Sequence, residues 1–238
     1  MSRNAWIIFA VACIAALGGL IFLSNQNRVD VNVDEINANS VQPASEASGG
    51  IADHVKGNAD SKVVLVEYAD FQCPGCASAF PKIKSISEEY EDQIAVVMRN
   101  FPLTSIHPHA LAAAATAEAA GKQGKFWQMH DLLFANQSSW SSQNARQRTE
   151  TFLGFARQIG LDENKFTQDQ ASAEVSQKIG FDQALGRKSD VSSTPTFFLN
   201  GKQIEQSVWG NDEEFRKVID AELEKQGVKP PKEPTEKK

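Results

Sequence analysis

The stretch that most constrains this chain is Val63–Cys76, VVLVEYADFQCPGC. The run Val63 to Tyr68 is rich in β-branched residues and short, the pattern of a buried strand. Residues 77–90 carry helical spacing, with Pro81 expected to kink the helix. Residues 94–98, IAVVM, form a second buried-strand run. Strand, helix, strand predicts a βαβ unit with both cysteines at the turn from strand into helix.

A long helical region follows. Residues 110–120 are nearly all alanine and leucine and stop at Gly121, and Phe126, Trp127, Met129, Leu132 and Leu133 form a further apolar face. Phe152, Phe155, Ala156 and Ile159 recur at helical spacing before Gly160, and Val175, Ile179 and Phe181 mark one more helix. The pattern then returns to strand: residues 196–199, TFFL, lead into Asn200-Gly201 and then Lys202-Gln203-Ile204. Asn-Gly between short strands is a strong hairpin signal. A final helix is expected over residues 212–226, with Phe215, Val218, Ile219 and Leu223 on one face. The order β-α-β, helical block, β-β-α predicts an α/β fold.

The two ends read differently. Residues 5–23, AWIIFAVACIAALGGLIFL, contain no charged residue, and a helix of that length spans roughly 28 Å, about a bilayer core. No small-x-small cleavage site closes the run, so an uncleaved anchor is preferred to a signal peptide. Arg3 precedes it, but Arg28 lies beyond it, so charge orients it only weakly with the N-terminus inside. Cys13 lies in this run. It reads as a small apolar helix residue rather than a lipoprotein cleavage site. Residues 24–52 are polar, with no aromatic between Phe22 and Tyr68, and read as a flexible linker. The expected organisation is residues 1–23 as cytoplasmic N-terminus and transmembrane anchor, 24–52 as linker, 53–227 as the domain with a helical insertion at about 105–190, and 228–238 as a disordered tail.

Two cysteines two residues apart can hold a metal or exchange electrons with other thiols. Structural zinc requires four ligands. The chain has three cysteines and no second close pair, and His107 and His109 lie on a different segment. Thiol chemistry fits better. Cys73 stands where a helix begins, with Pro74 at its first position, where a missing N–H costs nothing. The free N–H groups of that helix end stabilise a thiolate. Lowering a thiol pKa from about 8.5 to about 5 corresponds to roughly 5 kcal/mol, and it makes that sulfur a good leaving group. Cys76, one turn on and less exposed, can resolve a mixed disulfide. The net charge of −6 over 238 residues argues against a nucleic-acid partner.

From residue 51 to 226 the chain resembles the DsbA-like thiol–disulfide oxidoreductases of the thioredoxin superfamily. The resemblance is carried by VVLVEYADFQCPGC, by Arg99-Asn-Phe-Pro-Leu103, by the helical block, and by Ser193-Thr-Pro-Thr-Phe-Phe-Leu-Asn-Gly201. It implies a thioredoxin-like fold with an inserted helical subdomain and no cofactor. It also implies roles: Cys73 the nucleophile, Cys76 the resolving thiol, Pro195 following a cis peptide bond against the disulfide, and the Thr194 backbone pairing with substrate. Glu67 matches the family's buried acid and would relay the Cys76 proton. Its alternative is a strand residue turned out to water. Pro74 and Gly75 stand between the cysteines where the best-known member has Pro-His. Glycine cannot support the thiolate electrostatically as histidine does, so a less strongly oxidising couple is expected.

The expected function is extracytoplasmic introduction of disulfides into reduced substrate proteins. By resemblance, a membrane quinone-linked partner of DsbB-like or VKOR-like type reoxidises the site. The alternatives are a reductase or isomerase of the same fold, and a non-catalytic chaperone or metal-binding module. His107 and His109 read as capping or surface residues, Trp127 and Met129 as core, Asp70 and Phe71 as shaping the site's surface, and Trp209-Gly210 as packing plus a turn.

Overall fold

Strand β2 (Val64–Ala69) leads through the Asp70–Cys73 turn into helix α1 (Pro74–Glu89) and back along strand β3 (Ala95–Asn100). The computed structural model describes residues 31–231. β2 and β3 pair in parallel from Val64↔Ala95 to Ala69↔Asn100, closing the βαβ unit. β4 (Thr196–Leu199) pairs antiparallel with β2 on its other side, and β5 (Lys202–Ile204) with β4. A short strand β1 (Val55–Gly57) adds antiparallel to β3, giving the order β1-β3-β2-β4-β5. β1 has no counterpart in the sequence reading. Three residues are too few to show a period, and pairing with β3 alone makes them a strand.

All six residues of both β2 and β3 are buried, as expected of strands covered on two faces. One face packs Val63, Leu65, Val96 and Phe197 under Ile83 and Ile86 of α1 and under Phe215, Ile219 and Leu223 of the C-terminal helix. A second core joins the cysteine turn to the insertion, through Phe71, Cys76, Met98, Met129, Leu133, Phe134, Trp140 and Phe152. α1 runs as one helix through Pro81, whose missing N–H removes one i→i−4 bond. The Asn200-Gly201 turn has positive φ at both residues, 46° and 82°, the backbone of a type I′ hairpin. Asn200 also ties the hairpin to β2, accepting from Val64 N at 2.8 Å and donating from its own N to Val64 O at 2.9 Å.

The insertion between β3 and β4 comprises α2 (Ala110–Gly121), α3 (Phe126–Ala135), α4 (Gln137–Trp140), α5 (Ala145–Gln158), α6 (Glu163–Gln170) and α7 (Ala173–Lys188). Side chains of Asn144, Asp162 and Ser172 cap α5, α6 and α7. After the hairpin come α8 (Gln206–Trp209) and α9 (Asp212–Lys225). α9 ends with Gly227 at φ 73° and Val228 N donating to Leu223 O at 2.9 Å, a Schellman closure. Val228 packs on the core, so the domain runs one residue into the expected tail; residues 232–238 lie outside the described residues.

The linker expectation is corrected for residues 32–52. Few apolar groups order this arm; two cations, one buried and one exposed, do. The Arg99 guanidinium, buried in β3, donates to Ala38 O, to Ser40 O (2.8 Å) and to Asp53 Oδ2 (2.7 Å). Lys188 Nζ donates to the carbonyls of Val33, Asp34 and Ile36 at 2.9, 2.6 and 2.8 Å. A buried charge without acceptors is costly, so Arg99 recruits the polar arm as its solvation shell, while Lys188, itself exposed, gathers the carbonyls of the arm's first turn at the surface. Lys178 completes the centre, 2.9 Å from Asp53 Oδ1 and 2.6 Å from Asp182 Oδ1. Among the described residues no helix is long and apolar enough to cross a membrane. The run expected to do so, with Cys13, lies outside them.

Candidate functional site

The turn from β2 into α1 is built by Asp70. Its Oδ1 accepts from Gln72 N at 2.7 Å, and its Oδ2 accepts from Leu103 N at 2.9 Å and pairs with His107 Nδ1 at 2.7 Å. Its backbone carbonyl accepts from Cys73 N at 3.0 Å. Cys73 is thereby set as the N-cap of α1 with extended backbone, φ −69° and ψ 122°, and Pro74 follows at the first helical position. Both thiols are free.

The two sulfurs meet different surroundings. Cys73 is 9% exposed and Cys76 is fully buried. The Cys73 thiol is pulled down to about 5, chiefly because the Cys76 thiol donates to its sulfur. The Thr194 side chain and the N–H groups of Cys76 and Gly75 add to this, and burial opposes it. In the thiol form Cys73 Sγ donates to Thr194 O at 3.2 Å, while Thr194 Oγ1 is buried with no partner, so that hydroxyl is left to serve the sulfur once it ionises. Cys76 moves the opposite way. Burial pushes it well up, its own donation to Cys73 and the charge of Glu67 push further, and a backbone bond opposes them. One thiol is thus a thiolate at neutral pH and its neighbour keeps its proton.

Glu67 is 3% exposed and its carboxyl is pushed up to about 8 by burial. By strand alternation it shares a face with Val63 and Leu65, which pack under α1. It therefore points inward, and the outward alternative is set aside. Across the cleft the Thr194–Pro195 peptide bond is cis. A Cβ placed on Gly75 would lie 3.3 Å from Pro195 Cδ and 3.6 Å from Cys73 Sγ. The glycine therefore keeps the space between dithiol and proline open. The fold brings together every residue proposed from the sequence for the site: Glu67, Cys73, Pro74, Gly75, Cys76, Thr194 and Pro195.

The sequence reading missed the contacts from the insertion. Gln137 Nε2 donates to Phe71 O at 2.8 Å and to Cys73 O at 2.9 Å. Gln72 Nε2 donates to Ser141 O at 2.9 Å, and its Oε1 accepts from His109 N at 2.6 Å. Gln137 is 64 residues from Cys73, in a polar stretch with no pattern to mark it. His109 Nε2 donates to Gln143 O at 2.7 Å and so serves structure. Met129 is core and Trp127 packs against it, and the Trp209 ring lies 5.2 Å from Phe197. Among the described residues no three His, Cys, Asp or Glu side chains are grouped to hold a metal ion.

A strand-to-helix turn bearing an unequal pair of thiols, on a mixed sheet with a cis-proline opposite, defines a thioredoxin-type dithiol protein. The chain belongs to the thioredoxin family, whose model, described as "Thioredoxin", matches residues 50–221. Among solved structures it is similar to alpha-DsbA1 of Wolbachia pipientis, with 25% identity and a TM-score of 0.60 over 73% of this chain and 92% of that one. It is also similar to oxidised BdbD of Bacillus subtilis, with 22% identity and a TM-score of 0.60 over 78% and 98%; at that identity the shared property is the fold. Among curated proteins, the Na(+)/H(+) antiporter NhaA 1 of Salinispora arenicola is 41% identical over 151 residues, covering 63% of this chain and 22% of the antiporter. The chain thus spans about a fifth of the length of the curated relatives it matches.

Proposed function

We propose that this chain is an extracytoplasmic thiol–disulfide oxidoreductase, tethered to the membrane by residues 5–23, that introduces disulfides into reduced proteins. The observation that carries the reading is the unequal thiol pair: a low Cys73 at the helix end and a raised, fully buried Cys76. In the oxidised protein a substrate thiolate attacks the Cys73 sulfur, the one of the two that reaches the surface. The Cys73–Cys76 bond breaks, Cys76 leaves as a thiolate, and a proton delivered through Glu67 neutralises it. The substrate's second thiolate then attacks its own sulfur in the mixed disulfide and releases Cys73 as a thiolate. Two electrons pass from substrate to protein, and one disulfide is lost as another forms. Thr194 offers backbone to the substrate peptide as an added strand, with Pro195 and Gly75 bordering the place where it lies. A membrane quinone-linked partner would take the two electrons back. Sodium–proton exchange is not carried over from the antiporters, since the match covers only 22% of their length.

The test is the equilibrium of the full-length protein with glutathione. A potential well above thioredoxin's ~−270 mV, toward the ~−120 mV extreme, supports disulfide donation. A value at or below −270 mV overturns it in favour of a reductase. In Cys76→Ala protein, Cys73 should form mixed disulfides with oxidised peptides and fail to resolve them. Absence of such adducts would favour a binding module.

A further inference from the structure

We infer that Gln137, supplied by the helical insertion, is a positioning residue of the dithiol site: its amide clamps the turn that carries Cys73 and thereby favours the dithiol over the disulfide. The inference rests on the redox reading above.

A primary amide has two N–H donors, and the Gln137 amide spends them on carbonyls flanking a single residue. Phe71 O lies at 2.8 Å and Cys73 O at 2.9 Å. The second carbonyl also accepts from Ala77 N at 3.2 Å, the first bond of helix α1, so the clamp acts on the helix N-cap itself. Gln72, between the two carbonyls, is gripped as well, by Ser141 O at 2.9 Å and His109 N at 2.6 Å. All of these partners come from the segment between β3 and β4.

The clamp is anchored. α4 ends at Trp140, which is fully buried, donates from its indole to Leu133 O at 2.9 Å and meets Phe152 edge-on at 5.3 Å. Gln137 therefore projects from a fixed element. The opposite side of the turn is held by Asp70 O, which accepts from Cys73 N at 3.0 Å.

The consequence for redox balance follows from geometry. The groups that support the Cys73 thiolate are the Cys76 thiol, the Thr194 side chain and the N–H groups of Cys76 and Gly75. Hydrogen bonds to them weaken steeply with misalignment, so a Cys73 backbone free to rotate loses them first. The disulfide needs none of them, because a covalent bond holds its sulfur. A rigid turn therefore stabilises the reduced form selectively.

Gln137→Met keeps the bulk and removes both donors. In the full-length protein it is expected to shift the glutathione equilibrium about tenfold toward the disulfide, which is ~30 mV more negative. The thiolate absorbance of Cys73 should titrate about one pH unit higher, the matching change for a factor of ten. Gln137→Asn, one methylene too short to span both carbonyls, should fall between wild type and Gln137→Met, and it carries the test if the methionine variant does not fold. A merely structural role would lower the melting temperatures of oxidised and reduced protein equally, with potential and thiolate titration unchanged; that result overturns the inference. If the wild type itself does not exchange with glutathione, the redox reading fails; if the wild type exchanges and the variants match it, the clamp alone fails.

Discussion

Removing the Cys73 sulfur changes the pH dependence of stability in a calculable way. The folded value of about 5 lies below the ordinary thiol value of 9.0. For an acid depressed on folding, the contribution to stability is fully present above the unfolded value and is lost as pH falls through the folded one. At pH 7 the folded thiol is ionised and the unfolded one is not, so the contribution is two units at 1.36 kcal/mol each, about 2.7 kcal/mol. The sulfur sits at the rim of the fold, and solvent screening reduces this to roughly half to all of that figure. By pH 4 it should vanish. The assay is guanidinium unfolding of reduced wild type and of reduced Cys73→Ala at pH 4, 5.5 and 7. Packing differences give a constant offset, and Glu67 titrates in both proteins, so the change of the difference with pH isolates Cys73. The wild type should gain about 1.5 to 2.7 kcal/mol relative to the variant between pH 4 and 7. A difference that stays flat over this range, with thiolate absorbance appearing only near pH 9, would refute the electrostatic account of the site.

Glu67 has the opposite sign. Its carboxyl is raised by burial from 4.5 to about 8, so the unfolded state gives up a proton that the folded state keeps, and Glu67 costs stability from pH 4.5 upward. Glu67→Gln should therefore be more stable than wild type at pH 7, by about 1 to 3 kcal/mol, and equal to it near pH 4, and its oxidised form should form mixed disulfides with reduced substrate more slowly. Equal stability at both pH values would show that the carboxyl is not held protonated. Asp53 is fully buried between Arg99 and Lys178, whose charges hold its carboxyl down at about 2 against the burial that raises it. Asp53→Ala takes the paired carboxylate from buried Arg99 and leaves buried Lys178 with Asp182 alone, and should cost about 3 to 5 kcal/mol in urea unfolding. It should also expose the 32–52 arm to proteolysis, and an arm as protected as in wild type would contradict its anchoring by these charges.

The elements legible in the sequence are those whose signal is local. Val63–Tyr68 and the run after it announce two buried strands because β-branched residues cluster there. The Asn200-Gly201 pair announces the hairpin because only such residues accept two successive positive φ angles cheaply. The position of Cys73 before Pro74 gave the helix start and the reason for a low thiol. The arm misled for a physical reason. Its composition is polar, and polar chain stays free unless something buried needs its carbonyls. That need belongs to Arg99, 59 residues away from its arm partner Ser40, and the exposed Lys188 adds a surface tie to Val33, 155 residues away.

By itself, then, the sequence determined the βαβ unit, the hairpin, the helical insertion and the chemistry available to a Cys-Pro-Gly-Cys turn. Resemblance supplied Thr194 and Pro195. Only the tertiary structure decided that Thr194 O stands 3.2 Å from the Cys73 sulfur across 121 residues, that Glu67 faces inward, and that Gln137 grips the turn. Each depends on where a side chain lies relative to distant chain, and burial and hydrogen-bond geometry exist only once the sheet and its insertion have closed around the thiols.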